Sequence, residues 1–408
     1  MANLRRQKEA LVAYFEAGCK PQGRMTVGLE VEHFLTSIDG TPASFEQAQA
    51  VMQALEEPGA RPLMEEGNYL GFVTNGYTLT LEPACQLEIS IAPQSGVGAL
   101  MAVYEAFAAR LYRALAPLGL RAWNLGYHPT RRAEALPLIP KKRYEVMDRY
   151  LQKRGLHGTQ MMRGTASTQV SVDYFSEEDF IRKYRVACLI APMLALLTDN
   201  TPVYEGQPNH TPSVRTTIWN DVDPDRCGIP PMLMDETFGF EAYADYVLQK
   251  PLVVSRRGPR TEGVGRKSAF EVYPSALQRE EIEHLLSMFF FDVRLKNYIE
   301  IRVADSMPAP YVAGYTEMIK DIFSSPAAQE GILRHYAGAT VESIESAKLG
   351  VCCHGYQAKV YGRPVAEEMA WLMAQAKSRL STSDARRRLE PLAELAARKK
   401  TLREVCAL

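Results

Sequence analysis

Carboxylates and amides recur at every second position in four stretches of the chain: Val27–Leu35 (VGLEVEHFL), Leu81–Ile91 (LEPACQLEISI), Thr165–Tyr174 (TASTQVSVDY) and Tyr298–Asp305 (YIEIRVAD). In an extended strand, successive side chains point to opposite faces. Glu30 and Glu32 then share one face, with Val27, Leu29 and Val31 on the other. In the same way Gln86, Glu88 and Ser90 oppose Leu87, Ile89 and Ile91. Ser167, Gln169, Ser171 and Asp173 oppose Val170, Val172 and Tyr174, and Glu300 and Arg302 oppose Ile299, Ile301 and Val303. If these strands share a sheet, one face becomes an acidic wall with almost no Lys to neutralise it. Two carboxylates about 4 Å apart repel by about 4 kcal/mol at a protein-surface dielectric. Such a wall calls for cations, and its all-oxygen donors suit Mg2+.

A half-buried strand with one solvated face alternates as well, and that reading serves for any single stretch. Solvated faces usually mix Lys, Thr and Arg with Glu, however. A bias towards acids and amides shared by four stretches favours a cation-binding face.

The elements that must carry this wall are mixed. Helices are expected at 3–17, 44–56, 97–117, 141–152, 177–199, 278–289, 311–323 and 326–336, the fifth announced by the capping sequence Ser176–Glu177–Glu178–Asp179. From about Val365 the chain turns to MAWLMAQAKSRL and an Arg/Glu/Ala-rich stretch, which reads as a helical tail. Strands and helices come without a strict β-α-β rhythm, so the expected class is α+β with an antiparallel sheet. No internal repeat or low-complexity tract is visible.

Composition bounds the partners. The 408 residues are 46% hydrophobic and 23% charged, with net charge −1, a balance that argues against a nucleic-acid binder relying on counterion release. Seven cysteines, thinly spread, do not make a disulfide framework, and Cys352–Cys353–His354 lacks a second ligand pair at zinc spacing. The N-terminal ANLRRQKEALVAYFEAG reads as an amphipathic helix rather than a signal peptide. The apolar run Val186–Leu197 is too short to span a bilayer, so cytoplasm is the expected location.

Other chemistry is thinner. No P-loop, dinucleotide fingerprint or nucleophile elbow occurs. The basic, glycine-rich Ser255–Lys267 reads as a solvated loop or a mobile lid over phosphates. His33 lies on the apolar face of its strand and reads as a core histidine, whereas His128, His157, His210 and His335 stand alone and read as surface or loop residues. Arg215, Trp219, Asp221, Asp223 and Arg226 fall within a dozen residues and offer guanidinium forks suited to carboxylate or phosphate; the competing reading is a charged turn with internal ion pairs.

Six segments in order — GLEVEHFL, LEPACQLEISIAPQ, IPKKRYEVMDRY, MMRGTASTQVSVDYFSEEDFIRKYR, RTTIWNDVDPDRCGIPP with DETFGFEAYADYVLQKP, and HLLSMFFFDVRLKNYIEIRVAD — resemble the plant-type branch of the glutamate–cysteine ligases across residues 25–306. The resemblance implies a glutamine-synthetase-like fold, a curved and mainly antiparallel sheet forming a funnel with helices outside. It implies a single catalytic domain over 1–364 with the helical extension 365–408 packed on it. The activity implied joins the γ-carboxylate of L-glutamate to the amine of L-cysteine through a γ-glutamyl phosphate, with ATP and two or three Mg2+ ions (Mn2+ as a substitute), the first step of glutathione-type thiol synthesis. The alternative is a related ligase joining glutamate to a different amine. Neither nucleic acid nor membrane is an expected partner, and the protein is expected to be a monomer or homodimer.

By the same resemblance the metal-side groups are Glu30, Glu32, Glu88, Gln169 and Glu300. Glu300 and Arg302 are placed at the chemistry, with Arg302 suited to the transferring phosphoryl group. Substrate is assigned to Arg215, Trp219, Arg226, Lys141, Arg143 and Tyr144, with the α-carboxylate of glutamate on Arg215. Departures from the family pattern are Ala84–Cys85 where two glycines are common, SMPAPYVAGYTEM after Asp305, and a shorter 258–280 region.

Overall fold

The computed structural model describes residues 2–23, 25–258 and 260–406. Nine strands make one sheet: β1 Val27–Ser37, β2 Arg61–Glu65, β3 Asn68–Val73, β4 Tyr77–Leu81, β5 Leu87–Gln94, β6 Leu120–Trp123, β7 Ser167–Val172, β8 Val293–Leu295 and β9 Ile299–Asp305. Their order is β8-β9-β7-β1-β5-β4-β3-β2, with β6 on the far end of β1 through Phe34–Ser37. Every neighbouring pair is antiparallel. The sheet is open, its edges being β8 and β2.

The four alternating stretches thus lie at its centre, with one correction. Leu81–Ile91 is not a continuous strand. Its first residue ends β4, and Glu82–Gln86 forms a tight turn in which the Cys85 N–H donates to the Glu82 carbonyl and the Glu82 N–H to the Gln86 carbonyl. Cys85 has φ +64°, the left-handed conformation that glycine tolerates best, at the position where glycine is common in the resembled family.

On one face of the sheet, Val27, Leu29, Val31, Leu87, Ile89, Val170, Val172, Ile299 and Ile301 are buried beneath the helices Val97–Leu115, Glu177–Leu197 and Ala309–Ser324. Each such side chain contributes about 1.5–3 kcal/mol. Together they outweigh the few kcal/mol of repulsion accumulated on the opposite, acidic face. The Glu177–Leu197 helix begins as its sequence predicts: the Ser176 side chain accepts from the Asp179 N–H, and three acids fill the first turn.

Among the described residues, four helices were not expected, Val214–Asn220, Phe240–Gln249, the short Ala269–Val272 and Val341–His354. Ser255–Lys267 is not an irregular loop but most of a hairpin, Pro251–Arg257 paired with Arg260–Ser268, resting on the helix Lys142–Leu151; Pro259 lies outside the described residues. His33 is buried, bonded to the Leu87 carbonyl and the Tyr104 hydroxyl. His128 is buried too, against expectation, and accepts the Thr130 and Arg131 N–H groups. The C-terminal helices Val365–Arg379 and Ser383–Ala397 pack on Ala309–Ser324, tied by Arg379–Asp321 and Arg388–Glu317 ion pairs of 2.7 Å. Among the described residues no helix is long and apolar enough to cross a membrane.

Candidate active site

The polar face of the central strands is partly covered by other elements. Across the sheet Glu30 faces Gln169 on β7 and Ser90 on β5, and Glu32 stands directly opposite Glu88. Like charges directly opposite each other destabilise a ladder. Above them lie the start of the 142–151 helix, a π-type turn at Gln160–Gly164, the short 214–220 helix and the β8–β9 hairpin. The cavity beneath them has a volume of about 290 Å³.

Two of the acids are crowded into partial neutralisation. Burial, then Glu82, pushes the Glu32 carboxyl up to about 7, against Arg215 and the hydrogen bonds from the Ser167 N–H and hydroxyl, both 2.8 Å. Burial, then Glu30, Glu82 and Glu32, holds Glu88 well above the usual carboxylate range. Glu30 is raised by burial and by Glu300. These are hard oxygen donors whose charge the protein itself disfavours, a chemistry that fits Mg2+. As the side chains stand, no group of three or more His, Cys, Asp or Glu among the described residues is gathered closely enough to hold an ion.

The expected shortage of cations is overturned. Lys141, Arg143, Arg215, Arg294, Lys296 and Arg302 all line the cavity with Glu30, Glu32, Glu82 and Glu88. Glu300 belongs to their side of the balance. It is buried, and its carboxylate takes Arg294 at 2.6 Å, Arg302 at 2.8 Å and Lys296 at 3.1 Å. Burial alone would raise its pKa, but these three cations hold it far below the ordinary value. Glu300 is therefore the hub of an ion cluster in this structure. Gln169 is likewise engaged, accepting from Arg302 and donating to Ser167 Oγ at 3.1 Å.

Of the substrate-side residues, Arg215 and Trp219 come one helical turn apart, with the guanidinium 4.7 Å over the indole. Arg215 donates to the Arg302 carbonyl, yet its Nη1, the Trp219 Nε1 and the Arg302 Nε are buried donors without a partner among the described residues. Unpartnered buried donors beside a cavity are what an anionic ligand would satisfy. Lys141 lies 4.5 Å over the Tyr144 ring, and the Tyr144 hydroxyl donates to Glu82 at 3.2 Å. Arg143 donates to the Ser287 carbonyl at 2.9 Å. Arg226 is not in the cavity. It is fully buried, pairs with Asp223 at 2.7 Å and donates to the Met288 and Pro251 carbonyls. The charged-turn reading holds for that residue.

Sequence reading missed Glu82, Arg294 and Lys296. The signal was present for the last two: Arg294, Lys296, Tyr298, Glu300 and Arg302 keep the same period of two through the β8–β9 hairpin. Glu82 was hidden by reading a turn as strand.

The sequence profile of glutamate-cysteine ligase family 2 matches residues 26–398. The chain is 32% identical over 311 residues to glutamate–cysteine ligase A, chloroplastic, of Oryza sativa subsp. japonica, covering 74% of this chain and 63% of the rice protein. It is 32% identical over 311 residues to the chloroplastic glutamate–cysteine ligase of Arabidopsis thaliana, covering 74% of this chain and 60% of that one. The chain thus spans less than two thirds of the length of these relatives. A crystal structure of glutamate–cysteine ligase from Francisella tularensis in complex with AMP superposes with a TM-score of 0.57 at 12% identity, over 92% of this chain and 82% of that one, a likeness of fold. With a family match over most of its length and a relative at this identity, the chain belongs to glutamate-cysteine ligase family 2.

Proposed function

We propose that this protein is an ATP-dependent ligase that activates the γ-carboxylate of L-glutamate as an acyl phosphate and joins it to an amine, with L-cysteine the first candidate. The observation that carries this reading is the facing of two charged arrays in one cavity: Glu30, Glu32, Glu82 and Glu88 against Lys141, Arg143, Arg215, Arg294, Lys296 and Arg302. Phosphoryl transfer to a carboxylate brings anion against anion, so the protein must contribute position and positive charge. A single-sign site could not hold both the cations and the anions of that reaction. The AMP held by the Francisella tularensis enzyme supports a nucleotide substrate.

Each side chain has a task in this reading. Glu30, Glu32 and Glu88 would hold Mg2+, which when bound supplies charge that offsets the phosphates. Arg302, oriented by Glu300 and Gln169, faces the transferring phosphoryl group. Arg215 and Trp219 offer their unpartnered N–H groups to the α-carboxylate of glutamate. Lys141 and Arg143 add positive charge at the cavity wall, and Tyr144 orients Glu82 through its hydroxyl.

The test is ADP release with glutamate and a panel of amines, cysteine first, with product mass as readout. The expected result is glutamate- and cysteine-dependent ADP and a product of γ-glutamylcysteine mass. A stronger response to another amine would favour the related-ligase alternative. No glutamate-dependent ADP release with any amine would overturn the reading. Arg215→Ala should raise the glutamate KM about 10- to 100-fold, the loss of a charge-assisted pair.

A further inference from the structure

The helix Val341–His354 buries a lysine close to the substrate arginine. Lys348 Nζ pairs with Asp292 Oδ2 at 2.7 Å and with Glu345 Oε2 at 3.2 Å. One turn further along, Cys352 Sγ lies 3.7 Å from the Ser213 carbonyl oxygen, so this helix backs the start of the 214–220 helix. A charge so deeply buried persists only with partners. Burial works to lower the Lys348 pKa, but Asp292 and Glu345 outweigh it and leave it above the ordinary lysine value. At neutral pH Lys348 is a cation.

Asp292 links this pair to the site. It precedes β8, and its carbonyl accepts the Arg302 N–H at 3.0 Å. Arg302 stands where β9 slips against β7: between the pairs Ile301–Val170 and Ala304–Thr168, Arg302 and Val303 face the single residue Gln169. Such a bulge re-aims a side chain. The Arg302 carbonyl in turn accepts Arg215 Nε at 3.3 Å and Nη2 at 3.1 Å. Arg215, Trp219, Asp292 and Arg302 share a cavity of about 20 Å³, too small to admit a substrate. Arg302 is already held by Glu300 and Gln169. Arg215 Nη1 and Trp219 Nε1, by contrast, are buried donors without a partner among the described residues. A carboxylate beside such donors should take them. That of Asp292 bonds neither, and its Oδ2 is on Lys348 instead.

We propose that Lys348 is a positioning residue that keeps the glutamate site open: by holding the Asp292 carboxylate, it stops this internal anion from taking the Arg215 and Trp219 N–H groups that receive the α-carboxylate of glutamate. Removing Lys348 leaves a buried negative charge without its partner. The donors nearest to hand are then those of Arg215 and Trp219, and glutamate has to displace an anion that the chain itself supplies. The inference rests on the reading that Arg215 and Trp219 receive glutamate.

The test uses the full chain with Lys348→Met, Asp292→Asn and the double variant Asp292→Asn/Lys348→Met. The glutamate KM and kcat are read in the ADP-release assay, and the place of Asp292 in a crystal structure of unliganded Lys348→Met. Lys348→Met should raise the glutamate KM by about tenfold or more with kcat within about threefold, a split that a mere loss of folded enzyme does not produce. Its Asp292 carboxylate should lie within hydrogen-bond reach of Arg215 or Trp219. The double variant, with no carboxylate left to release, should return the KM to within about twofold of the wild type, and Asp292→Asn alone should keep it there. A KM unchanged in Lys348→Met, a double variant no better than Lys348→Met, or Asp292→Asn as impaired as Lys348→Met would overturn the proposal. So would an Asp292 carboxylate that bonds neither Arg215 nor Trp219 in the variant crystal. Should Lys348→Met not fold, Lys348→Gln replaces it in every comparison: a KM raised about threefold or more upholds the proposal and a wild-type KM overturns it. A wild type without glutamate-dependent ADP release would defeat the functional reading alone, because the place of Asp292 in the unliganded variant still decides the role of Lys348.

Discussion

Glu30 and Glu300 carry the same charge on the same face of the same sheet, but neutralising each should have opposite effects on stability. Glu300 is buried and meets three cations at 2.6, 2.8 and 3.1 Å. Each contact is worth about 4 kcal/mol gross at an effective dielectric near 20, much of it offset by desolvation. Breaking a buried ion pair by removing one partner costs about 3–5 kcal/mol net, so Glu300→Gln should lose about that much, leaving Arg294, Lys296 and Arg302 facing one another. Because its carboxyl is held below the ordinary glutamate value of 4.5, this contribution is fully present above that pH and is lost only as pH falls towards the depressed value. Glu30 is the reverse case. Its carboxyl is raised by burial and by Glu300, so its charge is a penalty at neutral pH, and Glu30→Gln should leave stability unchanged or increase it. Both variants should lose ADP release. The assay is urea unfolding at pH 7 in the presence of a chelator, beside ADP release with magnesium restored. A Glu300→Gln protein as stable as the wild type, or a Glu30→Gln protein destabilised to the same degree, would refute the assignment of one acid to cations within the protein and the other to a cation from solution.

Magnesium should raise the unfolding midpoint of the wild type and not that of Glu30→Gln or Glu32→Gln, and a chelator should stop ADP release without unfolding the protein; thermal denaturation with and without the ion checks this. Arg226→Met should cost about 3–5 kcal/mol while leaving the glutamate KM unchanged, because Arg226 pairs with Asp223 outside the cavity; a raised KM at unchanged stability would restore it to the substrate site. His33, His128 and His284 are buried neutral, with burial lowering each from 6.5 to about 4. The contribution of these histidines to stability should therefore be level above pH 6.5 and fall between 6.5 and 4 by up to about 3 kcal/mol for each, opposite in sign to that of the raised Glu32 carboxyl. His33→Gln should flatten part of that slope, read from urea midpoints at pH 7 and pH 5.

The comparison of expectation with fold divides along a physical line. Glu30, Glu32, Glu88, Gln169 and Glu300 were legible as a group because alternation is a local property: two residues suffice to turn a side chain to the other face of a strand. The same period would have revealed Arg294 and Lys296, had it been followed backwards through Tyr298. Glu82 was not legible, because the turn at Cys85 uses a left-handed cysteine where a glycine would have announced it. Arg226 and Arg215 lie in one stretch with the same side chain, and only one faces the cavity; a short helix and a buried aspartate separate them.

The sequence by itself determined the α+β class, the strand faces and the acids on them, since these follow from the period of the chain and from side-chain chemistry. Tertiary structure decided what that acidic face meets. It brought Lys141 and Arg143 from one helix, Arg215 from another and Arg294 and Lys296 from a hairpin over the same sheet, gave Glu300 to three of the cations, and left Glu30, Glu32 and Glu88 short of them. Charge balance at a buried site is a sum over segments far apart in the chain, and no local pattern contains that sum.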